Sequence, residues 1–261
     1  MGVRTRGIRQ WRRRLELATE NPGCVRIATA VAVLVAMVWA HAAGDVINRD
    51  GIIYVRAAQA LLDQGLAASM AIYNWPGYSL LIAAVIRLSG TTPEMAAAVI
   101  NGVCWMVLAD AFVRLAHRLD GAAGRPWVPA LVILSLPVFG HRLEIYRDWG
   151  YLGFGLLACV PLLRLWQSGR ARWRDVIAWF AAMLVALSFR IEAAALIVLT
   201  PPVLLLRPGP WLERLRAAGM LAAIVLGPAL LLGLALAMRD PVLLGKFADL
   251  LTYADLSNYL A

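Results

Sequence analysis

Four carboxylates stand just beyond apolar runs: Asp45 and Asp50 after the first, Glu144 and Asp148 between the third and the fourth. Carboxylates so placed suit general-base work or the holding of a divalent cation. Loops also collect acids because they are polar, and spacing alone does not separate the two readings. Arg190 and Glu192, in the stretch SFRIE, lie at the outer end of the fifth run. A guanidinium fork matches phosphate oxygens, which makes Arg190 a candidate anion holder. An ion pair with Glu192, or snorkelling to lipid headgroups, is the alternative. A charge at the edge of a membrane is a functional-site candidate by default. His41 and His141 could join the carboxylates around a metal ion, but a lone interfacial histidine is more often a polar tip, and no metal ligand is assigned. Asp110 precedes Arg114 by four residues, so an ion pair along one helix face accounts for it. Trp75 and Trp149 are placed where a sugar ring could stack, yet ten tryptophans, several near run ends, also fit an interfacial belt.

The elements that must position these groups follow from composition. Of 261 residues, 61% are hydrophobic and 16% charged; mean hydropathy is +0.70. Typical globular domains carry roughly 25% charged residues. Neither a water-soluble fold nor disorder agrees with such a chain. The net charge of +9 does not point to nucleic acid, because the basic residues form short clusters between apolar runs rather than one face. Cys24, Cys104 and Cys159 are scattered and show neither zinc nor disulfide spacing. Lys246 is the single lysine among 25 basic residues, a bias that suits a GC-rich bacterial genome. The expected class is an all-α, polytopic membrane protein.

A spanning helix needs about 20 mostly apolar residues. Seven runs qualify or nearly do: Val25–Ala43, Pro93–Leu115, Pro126–Phe139, Tyr151–Trp166, Trp173–Phe189, Ala193–Leu206 and Ala217–Met238. Pro76–Leu88 is the ambiguous eighth. If it does not cross, and the Arg-rich N-terminus is cytoplasmic, 17 basic residues lie inside and 8 outside; if it crosses, the split is 13 to 12. The positive-inside rule selects the first arrangement. Seven spans are therefore expected, with Pro76–Leu88 in the outer interface. Residues 1–24 form a basic cytoplasmic N-terminus, 25–240 the membrane module with an outer loop over 44–92, and 241–261 an outer tail. Within the loop, the apolar residues of 51–66 recur at near-helical spacing, which predicts a helix lying on the membrane. The first run is read as a retained anchor, being too long and lacking a cleavage site for a signal peptide.

The order of these pieces is more informative than any one residue. After the anchor come RDGIIYVRAAQALLDQG and NWPGYSLLIAAVIRLSG, then HRLEIYRDWGYLGFGLLA, then SFRIEAAAL. This order resembles the catalytic half of the GT-C fold glycosyltransferases, integral membrane enzymes that include the protein O-mannosyltransferases and aminoarabinose transferases. Asp50 matches the first-loop acid of that family. Trp75-Pro76-Gly77-Tyr78 resembles its YPPGYP-type element, with one proline in place of two. Arg147-Asp148 resembles its second-loop element. The resemblance covers about residues 25–240, and most relatives continue with further helices or an outer domain.

What the resemblance implies is transfer of a sugar from a polyprenyl-phosphate donor to an acceptor hydroxyl on a glycan, lipid or protein, at the outer face of the plasma membrane. Asp50 would be the general base, and the attack would invert the anomeric carbon. Arg190 and Arg147, with Lys246 in the tail, would meet the lipid phosphate. Asp148, with Glu144, would orient the acceptor or bind a divalent cation; Trp75 and Tyr78 would line the substrate site. A second membrane subunit could supply missing helices. The competing reading is a non-catalytic, truncated module of the same kind that binds lipid or serves as an assembly subunit. A small transporter is disfavoured, since no internal repeat is present and the acids lie at the interface rather than mid-membrane.

Overall fold

The computed structural model describes residues 19–42, 47–120, 125–136, 144–168 and 170–239, and everything regular among them is helical. The helices are α1 (Pro22–Ala42), α2 (Arg49–Gln64), α3 (Leu66–Ile72), α4 (Gly77–Ser89), α5 (Pro93–Asp120), α6 (Trp127–Ser135), α7 (Arg147–Gln167), α8 (Trp173–Phe189), α9 (Ala193–Val203, continued by a 3-10 turn over Leu204–Leu206) and α10 (Trp211–Arg239). Their boundaries follow from local chemistry. Gly65 and Gly90 end α2 and α4 at φ 90° and 67°, a backbone region where an added Cβ is strained. Pro93 opens α5 at the position where its missing N–H costs nothing, and Thr92 Oγ1 accepts a hydrogen bond from the Met95 N–H. The run expected to reach Phe139 stops at Ser135. Leu136 precedes Pro137 and is extended (ψ 140°), as a residue before proline tends to be.

Contacts between helix ends give the directions. Arg26, at the start of α1, pairs with Asp110 of α5 at 2.5 Å, and Asp110 also pairs with Arg114 at 2.6 Å, so the pair expected within α5 is one half of a triad. Arg118 of α5 donates to Gln167 at the end of α7. Arg164 of α7 reaches Asp175 at the start of α8. Arg207, just past α9, donates to the carbonyls of Leu165 and Ser168. One end of the bundle thus gathers the start of α1 and α8 and the finish of α5, α7 and α9. The opposite end holds the start of α7 and α9 and the finish of α8.

This layout decides where α4 goes. Its first residue, Gly77, rests on the carbonyl of Ser188 at the finish of α8. With only three residues between, α5 begins at that same end. Both ends of α4 therefore lie on one side of the bundle, and the helix does not traverse it. The amphipathic stretch is helical as α2, which ends at Gly65 before the short separate helix α3. α2 turns Tyr54, Val55, Ala57 and Ala58 inward against α4 and α5.

Three described helical stretches are long and apolar enough to cross a membrane: Pro22–Trp39, Pro93–Asp120 and Arg147–Gln167. α4 and α9 are shorter apolar helices. The outer surface is apolar as well. Ile27, Val31, Val35, Val38 and Trp39 of α1 and Leu131 of α6 are each more than half exposed, as are Val198 and Leu199 of α9. Soluble monomers rarely show apolar surface on this scale, and a bilayer would cover it without cost.

Candidate functional site

The site is assembled at the end where α7 and α9 start and α8 finishes. Asn48 precedes α2 in the position of an N-cap, yet its side chain makes no cap bond. Its Oδ1 instead accepts the Ile145 N–H at 2.8 Å, tying α2 to the segment before α7. Gly51 permits this approach: a Cβ there would meet Asn48, Ile145 and Ile47 at 2.8–2.9 Å. Asp50, exposed in the first turn of α2, is thereby held over the start of α7. Tyr54, one turn further on, is buried and meets Tyr73 edge to face at 5.2 Å.

On the facing side, the first turn of α7 presents Arg147 and Asp148. The Arg147 guanidinium lies 5.2 Å from the centre of the Tyr73 ring. Asp148 forms an ion pair with Arg190, which also pairs with Glu192. Arg190 stands 5.8 Å from the Tyr151 ring. Of the alternatives open for Arg190 in the sequence, the ion pair with Glu192 is realised, and Asp148 joins it. Glu144 contributes its carbonyl to Trp149 Nε1 at 3.1 Å, while its carboxylate hydrogen-bonds the Tyr146 hydroxyl and raises that phenol's pKa.

Tyr54 lies among these charged groups. Burial first, then Tyr73 and the carboxylates of both Asp50 and Asp148, push its pKa up, with Arg147 opposing. One phenol thus feels Asp50, Arg147 and Asp148 together. Arg190 holds the Glu192 carboxyl down to about 2 through their hydrogen bond, and its own pKa is raised in return. A depressed carboxyl pKa adds stability above the unfolded value of about 4.3 and loses it as pH falls toward 2. The melting temperature in detergent should therefore drop more for the parent than for Glu192→Gln between about pH 5 and pH 2. Parallel curves would remove this contribution.

One expected substrate contact is corrected. Tyr78 is 1% exposed, wedged between Tyr54 and Phe189 at ring-centre distances of 5.1 and 5.4 Å, and cannot line a substrate site. Its aromatic type suited a binding surface, but the start of α4 turns it into the core. Trp75 is half-buried, and its Nε1 donates to the Leu187 and Ser188 carbonyls, at 3.1 and 3.2 Å, capping the finish of α8. The Trp-Pro-Gly-Tyr stretch therefore docks on the finish of α8. Trp149 is buried, its ring centre 4.6 Å from that of Trp105 in a tilted contact. His41 is exposed at the end of α1. Lys246, His141 and Asp45 lie outside the described residues.

Tyr54, Tyr73, Tyr146, Tyr151 and Asn48 are the members that the sequence reading missed. Tyr54 was findable, because it follows Asp50 by four residues on one helix face. The others need the tertiary fold. No three His, Cys, Asp or Glu side chains gather as a metal-binding group among the described residues. Two open clefts lie at the opposite end of the bundle. Compared with family models, with curated proteins and with solved structures, the chain matches none.

Proposed function

We propose that the chain is a multi-pass glycosyltransferase of the plasma membrane, moving a sugar from a polyprenyl-phosphate donor to an acceptor hydroxyl on the outer face. The observation that carries this reading is the gathering of charged groups at one end of the bundle: Asp148 pairs with Arg190, Arg147 lies over Tyr73, and the Asn48–Ile145 hydrogen bond ties the helix of Asp50 to the segment before them. Those residues come from three distant stretches of sequence, the same stretches that resemble GT-C enzymes. Asp50 takes the acceptor proton as the acceptor oxygen bonds to the anomeric carbon. The bond from that carbon to the phosphate oxygen breaks on the opposite face, so the configuration inverts and polyprenyl phosphate leaves with the electron pair. Arg147 and Arg190 meet the charge that develops on it. The phosphate would compete with Glu192, whose side chain is 48% exposed, for the Arg190 fork.

The topology that goes with this reading has seven spans, a cytoplasmic N-terminus and α4 in the outer interface. Single cysteines at Asn74 and Ser168, in a background lacking Cys24, Cys104 and Cys159, should react with an impermeant maleimide from opposite sides of the membrane. Reaction of both from one side would defeat the arrangement.

The activity itself is tested in proteoliposomes holding the chain, a polyprenyl-phosphate sugar and a panel of acceptors, with and without co-expressed membrane partners. Acceptor-dependent release of polyprenyl phosphate, with an inverted linkage in the product, is expected. No release under any combination would transfer the argument to the non-catalytic module.

A further inference from the structure

At the end of the bundle away from the candidate site, two clefts of about 450 and 440 Å3 share Arg118 and Arg164 and so run together. Arg26 and Arg114 line the first; Arg172 and Arg174 line the second. Against these six arginines, the ion-pairing acids among the described residues are Asp110 and Asp175. Arg118 has the neutral Gln167 for a partner, at 3.2 Å. Arg172 enters no ion pair among the described residues.

Two further observations mark this surplus as more than solvated loop charge. Arg207 is 1% exposed, and it donates to the carbonyls of Leu165 and Ser168 beside the second cleft. A cation buried with no anion near it is costly. His117, in the first cleft, has a buried Nδ1 without a hydrogen-bond partner. A bound anion would offset the first and accept from the second.

Val113, Val160 and Pro22 complete the first cleft, and α1, which contributes Pro22 and Arg26 to it, carries the exposed apolar residues Ile27, Val31, Val35 and Val38 further along. A polar head with apolar tails fits that sequence of surfaces. We infer that the joined clefts bind the phosphodiester headgroup of an anionic phospholipid, with its acyl chains laid along α1. Guanidinium forks suit phosphate oxygens, and basic pockets between helices at the inner side of a membrane are where such headgroups settle.

The test uses the full chain, delipidated in detergent and titrated with phosphatidylglycerol or phosphatidylcholine under native mass spectrometry. Phosphatidylglycerol should bind preferentially, and R118Q/R172Q should weaken it at least about tenfold while leaving the Asp110 and Asp175 pairs in place. R56Q/R87Q, which removes the same charge from α2 and α4, should change nothing. Should the first double variant fail to fold, R172Q alone serves, since Arg172 touches α8 through its backbone. Equal binding of the two lipids, or equal loss in both double variants, overturns the inference. So does pyrophosphate binding as tightly as the lipid with the same sensitivity to R118Q/R172Q, which would assign the clefts to a free phosphate ligand.

Discussion

Asp50→Asn is expected to lower transfer from a polyprenyl-phosphate sugar by about 10²–10⁴-fold, the usual contribution of a general base. The substitution keeps the shape of the side chain and its capacity to hydrogen-bond. Asp50 is exposed and stands in the first turn of α2, so the fold loses only a modest helix-dipole interaction there. Tyr54, which senses the Asp50 carboxylate, would lose one of the influences that raise its pKa. Asp63 is the matched control. It is an exposed acid on the same helix, bonded to Gln59 at 3.0 Å and remote from the site residues. If Asp50→Asn and Asp63→Asn reduce turnover alike in a preparation whose parent is active, Asp50 is not the base. Arg190→Ala should instead depress turnover at every acceptor concentration, because it removes charge that the leaving phosphate needs.

Gly77→Ala is expected to cost at least about 3 kcal/mol of stability, the upper range for overpacking, and to lower the melting temperature by about 10 °C. A Cβ at residue 77 would stand 2.0 Å from the Ser188 carbonyl oxygen and under 3.0 Å from two more backbone atoms of Ser188. Backbone cannot yield by changing rotamer, so α4 must withdraw from α8, and the two Trp75 hydrogen bonds go with it. Gly155 of α7 has nothing within 4 Å of the same added atom. Gly155→Ala should therefore be neutral or slightly stabilising. Melting curves that place both variants together would discard the close packing of α4 on α8.

Much of this arrangement was readable before any coordinates. The apolar runs locate the helices to within a few residues, because a helix that satisfies its own backbone bonds is the economical way to carry 20 apolar residues. The charge asymmetry kept Pro76–Leu88 on one side, in agreement with the contacts of α4 at Ser188 and before Pro93. Asp50, Arg147, Asp148 and Arg190 were picked by type and order, and they come to one end of the bundle. The facing of aromatic residues was not readable. Trp75, Tyr78 and Trp149 have the composition of a sugar platform, but a helix of 13 residues can turn a tyrosine to either side, and only its neighbours decide which. In the sequence Arg207 is one of several arginines that follow an apolar run. Its burial on the finish of α7 depends on a contact 42 residues away in sequence, which no local pattern announces.

The docking of Trp75 and Gly77 on the last turn of α8 has a bearing on genetics. Arg190 is the residue directly after that turn, and Gly150, two residues beyond Asp148, leaves room for the Phe189 ring. A single clamp thus fixes the spacing of groups contributed by α7 and by the segment after α8. Inactive alleles collected by screening should be frequent at Trp75, Gly77, Gly150 and Phe189, none of which needs to meet a ligand. Protein yield would tell them from alleles at Asp50, since clamp alleles should be recovered in reduced amount and Asp50 alleles at the parent's level.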